Sequence, residues 1–208
     1  MKSGSASRQS GTVCARRRMK WNSRLAYLLI LLSAPLSAVE AGADAQTGRP
    51  NAYQVQAAYL YNFGKFIKWP DKVPADQSGT FAICVLGQDP FGALLESALA
   101  GQMVNGKPVA VKRLARVQDA AACHILSLSM AQQHDLKGTL AAIDDSSVLT
   151  VSDMPDFSKR GGMIQFILEG DRVRFEINLE SAEKSHLIFP SELLKVAAAV
   201  RKPARPGE

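Results

Sequence analysis

From residue 53 to 68 the apolar positions Tyr53, Leu60, Phe63 and Ile67 recur at spacings of seven, three and four, and Tyr59 and Phe66 widen the stripe. That period predicts an amphipathic helix, closed where Pro70 restricts Trp69. Phe81–Leu86 is a continuous apolar run of strand length, turned by Gly87 and Asp89-Pro90. Pro90 is placed to open a helix carrying Phe91, Leu94, Leu95 and Leu99. Asn105-Gly106 marks a turn before a short strand, Val109–Val111. The alternation continues with a strand over Cys123–Leu128, a helical stretch from Met130 to Ala142 and a strand over Val148–Val151. Gly162–Leu168 and Val173–Ile177 then flank Glu169-Gly170-Asp171, the composition of a tight hairpin. A last helix is predicted over Ser191–Arg201, packed through Leu193, Leu194, Ala197 and Val200, with Ser191 as its N-cap.

Strands alternating with helices predict an α/β fold: a single-domain three-layer sandwich, with a mainly parallel mixed sheet, helices on both faces and a C-terminal antiparallel hairpin at the edge. The chain shows no internal repeat, charge block or long linker that would divide residues 46–208. Its 208 residues are 47% hydrophobic and 21% charged, which argues against disorder and against a cysteine-rich mini-protein.

The formal charge of +6 invites a nucleic-acid reading until its placement is considered. Residues 1–45 carry seven Lys or Arg against two acidic residues, leaving 18 basic and 17 acidic beyond them. The basic excess therefore belongs to the leader, and no nucleic-acid partner is expected. That leader has a basic stretch ending at Lys20 and Arg24, an apolar core over 25–32, then Pro35 and small residues, the three parts of a secretory signal peptide. Cleavage is expected after Ala41, Ala43 or Ala45, and Met19 opens a better-proportioned signal than Met1. The apolar core is short for a bilayer of about 30 Å, so an uncleaved anchor is the weaker alternative.

Export leaves two cysteines, Cys84 and Cys123, in an oxidising compartment where an even pair reads most simply as one disulfide. Two buried free thiols are the alternative. A metal site is not expected, because two Cys and His124 supply no recognisable ligand spacing. None of His124, His134 and His186 pairs with a Ser, Cys or carboxylate in a catalytic spacing, and a Cys123–His124 thiol enzyme needs the thiol free. The turn from Leu86 to Gly92 lacks both a dinucleotide fingerprint and a phosphate-loop Lys, so it reads as structural and no cofactor is implied. Asp144-Asp145 and Asp153 with Asp156 read as turn formers rather than a cation site.

Two stretches remain as partner-binding candidates. Asp153-Met154-Pro155-Asp156-Phe157 puts Met154 and Phe157 in a loop, where they either present apolar surface or pack inward. In Arg172–Ile177, period-2 alternation puts Arg172, Arg174 and Glu176 on one face, as solvated charges or as contacts.

The runs Ala57–Phe63 and Phe66–Pro70, then Ile83–Gly87 with Asp89–Gly92, resemble the start of the YfiR-like periplasmic family. Cys123–Leu126, Val148–Asp153, Gly161–Ile164, Arg174–Asn178 and Ser191–Leu194 continue the resemblance in order, from about residue 53 to 200. It implies a non-enzymatic periplasmic regulator that binds and represses an inner-membrane diguanylate cyclase, lowering cyclic di-GMP and biofilm formation. It also implies a Cys84–Cys123 disulfide, sequestration by an outer-membrane lipoprotein and compatibility with a homodimer. The alternative within binding proteins is a periplasmic sensor partnering a histidine kinase or a cell-wall component. The sequence departs from the family at Gln165, where Asn is usual, at Phe189-Pro190, and in lacking a second cysteine pair found in some members.

Overall fold

The structure, a computed structural model, describes residues 51–70, 79–144 and 146–203. The expected signal peptide lies outside the described residues, as does Asp145.

Helix α1 spans Ala52–Phe66 and opens on a reciprocal cap. Asn51 Oδ1 accepts from the Tyr53 N–H at 3.1 Å, and Gln54 Oε1 accepts from the Asn51 N–H at 2.9 Å. It stops before the expected Lys68 because Lys68 and Ile188 exchange two backbone hydrogen bonds of 3.0 Å, which draws the chain out of the helix at Ile67.

The strands are β1 (Phe81–Leu86), β2 (Met103–Val104), β3 (Lys107–Leu114), β4 (Ile125–Leu128), β5 (Leu149–Ser152), β6 (Ile164–Glu169), β7 (Arg172–Asn178) and β8 (Ala199–Arg201). They form one sheet in the order β2-β3-β1-β4-β5-β6-β7-β8. The β2–β3 and β6–β7 hairpins are antiparallel, and every other pairing is parallel. The remaining helices are α2 (Ala93–Leu99), α3 (Leu136–Ala141), α4 (Leu179–Lys184) and α5 (Ser191–Val196). The α/β layering, the mainly parallel sheet and the antiparallel C-terminal pair are as the sequence predicts.

Burial on both faces explains the unbroken apolar run of β1. Ile83 and Val85 join a core cluster with Leu60 and Phe63 of α1, Leu95 and Leu99 of α2 and Leu193 of α5. Ala82, Cys84 and Leu86 point the other way, into a second cluster with Leu136 of α3 and Ala120 of the 3₁₀ turn Val117–Ala122. In the first cluster the rings of Tyr59 and Phe63 lie 5.2–6.0 Å from those of Phe166 and Phe175, which fastens α1 to the β6–β7 hairpin.

Three further helical expectations need correction. Helix α2 begins at Ala93 with Gly92 at its N-cap, so Pro90 and Phe91 lie before it rather than in its first turn. The stretch from Met130 to Ala142 divides into a 3₁₀ turn, Met130–Gln132, and the short α3. The last helix ends at Val196 rather than Arg201, and Pro190, not Ser191, occupies its N-cap. Beyond it the chain extends and β8 pairs parallel to β7, with the Ala198 N–H donating to the Phe175 carbonyl at 2.8 Å. The outer edge of β7 offers backbone partners over 199–201 that an alanine-rich segment takes as readily as helical ones. The hairpin consequently lies one strand in from the sheet edge.

Candidate functional site

The register of the hairpin places Gln165 beside Glu176 and Ile167 beside Arg174. Val173, Phe175 and Ile177 belong to the α1-side cluster, so alternation turns Arg172, Arg174 and Glu176 to the opposite side. The apolar core cluster on that side takes no residue from β6, β7 or β8; the face is polar instead, covered at Gln165 and Asn178, each 8% exposed, and left to solvent at Arg172 and Arg174. Arg174 stays 41% exposed there and pairs with Glu169 at 3.5 Å, a solvated contact of small energetic weight.

The connection from β5 to β6 supports that polar side. Ser152 Oγ donates to the Leu128 carbonyl at 2.7 Å and accepts from the Met154 N–H at 3.1 Å, fixing the first turn. Met154 and Phe157 are both 0% exposed and fill the second core cluster. The Phe157 ring lies against Gly162, where a Cβ would collide with it, and the Gly162 N–H donates to the Phe157 carbonyl at 2.9 Å. Met154 and Phe157 therefore form no loop surface in the folded protein. Each brings enough apolar area to favour the interior, and the turn at Asp156 directs them there.

Between them and the strands runs a buried polar network centred on Ser158, itself 0% exposed. Its N–H donates to Gln165 Oε1 at 3.1 Å, and its Oγ donates to Glu176 Oε2 at 2.8 Å. Its carbonyl accepts from Asn178 Nδ2 at 2.8 Å, and Asn178 Oδ1 accepts from the Ser181 N–H at 3.3 Å, capping α4. Glu176 is thus anchored to the loop, whereas Arg174, two residues earlier, projects from the same strand face. Of the residues singled out by sequence, Met154 and Phe157 are interior braces, and Arg172, Arg174 and Glu176 are strand-face polar groups. Ser158 and Asn178 were missed, and Gln165 was noted only as a departure from the family, because their roles are set by partners 7 to 20 residues away along the chain. The exposed apolar residues lie elsewhere, with Leu168 at the hairpin tip 65% exposed and Ile188 63% exposed.

The Cys123–His124 pair has no free thiol, because Cys84 and Cys123 are joined in a disulfide with their Cα atoms 6.0 Å apart. His124, 2% exposed, accepts the Ala82 N–H at Nδ1 and stacks on Phe81 at 4.3 Å. That is a packing role within the core. Among the described residues no group of three or more His, Cys, Asp or Glu is placed to hold a metal ion. No helix among them is long and apolar enough to cross a membrane.

Fold and surface together define an open-sheet α/β protein that presents a braced polar strand face. The chain belongs to the YfiR/HmsC-like family, whose profile matches residues 53–198. This is a family of periplasmic regulators of diguanylate cyclases, not of enzymes. Among solved structures, a conserved domain protein from Vibrio cholerae O1 biovar El Tor is similar at 13% identity and a TM-score of 0.47, with 63% of this chain and 61% of that one covered. The ABC domain from Streptococcus pneumonia, crystallised with L-Trp, is similar at 12% identity and a TM-score of 0.46, with 72% and 62% covered. The chain thus spans about three fifths of the length of these two structures.

Proposed function

We propose that the protein is exported by removal of residues 1–45 and binds the periplasmic region of an inner-membrane diguanylate cyclase, holding it inactive. The observation that carries this reading is the family match across residues 53–198, nearly the whole of the described fold. Repression by a bound protein requires tighter binding to the inactive than to the active state of the cyclase. The contact face we assign is the polar side of β6–β7, with Arg174 and Glu176 as its polar contacts and Met154 and Phe157 as the braces beneath. Rigid β-strands hold such groups in place more accurately than a mobile loop would.

The test is deletion of the gene followed by complementation, with cyclic di-GMP and biofilm measured. Deletion should raise both, and the unaltered gene should restore them. Arg174→Glu should be exported and folded yet fail to restore repression, and should no longer crosslink to the cyclase in envelopes. Unchanged cyclic di-GMP on deletion overturns the regulatory reading. Full repression by Arg174→Glu overturns only the choice of face. Recovery of a histidine kinase or a cell-wall protein as the crosslinked partner replaces the cyclase.

A further inference from the structure

Where the chain enters β5 and β6, helix α3 and the end of α4 leave a cleft of about 200 Å³ between them. Its floor is closed by Ile143, Val148 and Met163, each at most 7% exposed. Its rim carries Lys137 of α3, Arg160 of the β5–β6 connection and Lys184 of α4, and Asp144 is the only acidic residue lining it. Ligand pockets usually exceed about 300 Å³, so this space suits a small molecule.

The three cations are in different states. Lys184 is taken by Glu180 at 2.9 Å and lies in the field of Asp144. Arg160 gives one Nη2–H to the Gln133 carbonyl at 2.8 Å, a neutral acceptor that holds the guanidinium beside α3 and leaves its other donors unused. Asp156, whose field reaches Arg160, accepts from Lys159 at 2.7 Å instead. The loop bearing Arg160 packs on α3, where a Cβ at Gly161 would stand 3.4 Å from Leu140 Cδ1. Lys137 makes no hydrogen bond or ion pair among the described residues.

The hydroxyls of the cleft divide in the same way. Thr150 Oγ1 accepts from the Met163 N–H, and Ser181 Oγ accepts from Asn178 Nδ2, both at 3.0 Å. Ser185 is 4% exposed, and its Oγ has no hydrogen-bond partner among the described residues. Among those residues the unpartnered side-chain polar atoms sealed from solvent are Trp69 Nε1 and Ser129 Oγ, so Ser185 Oγ keeps an opening, and the cleft is the space that this residue lines. A hydroxyl so deeply placed and unpaired forfeits most of its hydration without replacement.

We infer that this cleft binds a small organic carboxylate with an apolar tail, the carboxylate held by Arg160, Lys137 and Ser185 Oγ and the tail lying against Ile143 and Met163. A guanidinium fork matches the two oxygens of a carboxylate, and a second unneutralised cation beside it adds to the preference for an anion. A bare inorganic ion leaves the apolar floor uncovered, and a neutral molecule leaves both cations unpaired. The site does not depend on the identity of the protein partner.

The natively processed, isotope-labelled protein is titrated with 4-methylpentanoate, with 4-methylpentanol, which lacks the charge, and with inorganic phosphate, which lacks the tail. The carboxylate should give saturable amide shifts at 137, 143, 160–163 and 184–185, the alcohol none there, and phosphate weaker binding. Arg160→Gln should weaken carboxylate binding about tenfold or more, and Ser185→Ala by several-fold, the range expected for losing a charge-assisted and a neutral hydrogen bond. Lys195→Gln, which removes a positive charge from α5 outside the cleft, should leave it unchanged. The inference is overturned by the absence of saturable shifts at these positions, by equal binding of the alcohol, by tighter binding of phosphate, or by equal affinity in Arg160→Gln and Lys195→Gln. The comparison of the three probes on the unaltered protein decides the matter even if a variant fails to fold.

Discussion

Replacing both Cys84 and Cys123 with Ala removes the one covalent tie within the described core and leaves the sheet register otherwise intact. The bond closes a loop of 39 residues that contains α2, β2, β3 and the 3₁₀ turn. In the chain-entropy treatment such a loop restricts the unfolded chain by about 13 cal/mol/K, or about 4 kcal/mol at 25 °C. The native state contributes a smaller loss, because both sulfurs sit in the second core cluster, at 0% and 1% exposure, and the alanines remain apolar. Total stabilities of 5–15 kcal/mol are usual for domains, so about 4 kcal/mol is a large fraction. With a urea slope of about 2 kcal/mol/M, the midpoint should fall by about 2 M. The assay is equilibrium urea unfolding followed by tryptophan fluorescence and circular dichroism, comparing the double variant with the oxidised protein. A loss below about 1 kcal/mol, with cooperative unfolding retained, would refute the argument that the cross-link acts by restricting the unfolded chain.

Four further outcomes can be checked in the same way. Phe157→Ala should cost about 3–5 kcal/mol, the range for a fully buried ring, and should lose repression only in proportion to the folded fraction. Arg174→Glu, by contrast, should change stability by less than about 0.5 kcal/mol in urea unfolding. Asn51→Ala should cost about 1 kcal/mol in thermal or urea unfolding by removing the side-chain half of the α1 cap. Asp153 has a native pKa above its ordinary 3.8, so the native state binds more protons than the unfolded chain in the window above that value. Stability should fall as pH rises through this window. Asp153→Asn should therefore be more stable than the parent at pH 7, and the difference should vanish below about pH 3.8 in parallel unfolding curves.

Periodicity made the layered architecture legible because burial imposes it locally. A strand covered on both faces must be apolar throughout, as Phe81–Leu86 is, and a helix on one face must repeat its stripe, as Tyr53–Ile67 does. The composition Glu169-Gly170-Asp171 likewise specifies its hairpin through turn chemistry alone, with Gly170 at φ +59°. Residues 199–201 were not legible in this way. Alanine and valine there suit helix or strand, and only the unpaired edge of β7 selects strand.

The candidate sites divide along the same line. Sequence alternation by itself put Arg174 and Glu176 on a common strand face, since a period of two needs no tertiary information. Whether Phe157 faces a partner or the core depended on how the 153–163 connection crosses the sheet, and only the fold placed it against Gly162. The meeting of residues 88–90, 129–131 and Asp153 with Tyr53 of α1 is further still from local reading, because turns following three different strands converge there only where the strand order reverses at β1. The sequence thus determined which residues are apolar, paired or turn-forming, through short-range sterics and burial. The tertiary structure decided which polar groups meet, because separations of 7 to 20 residues or more along the chain close to hydrogen-bond distance only when the sheet is assembled.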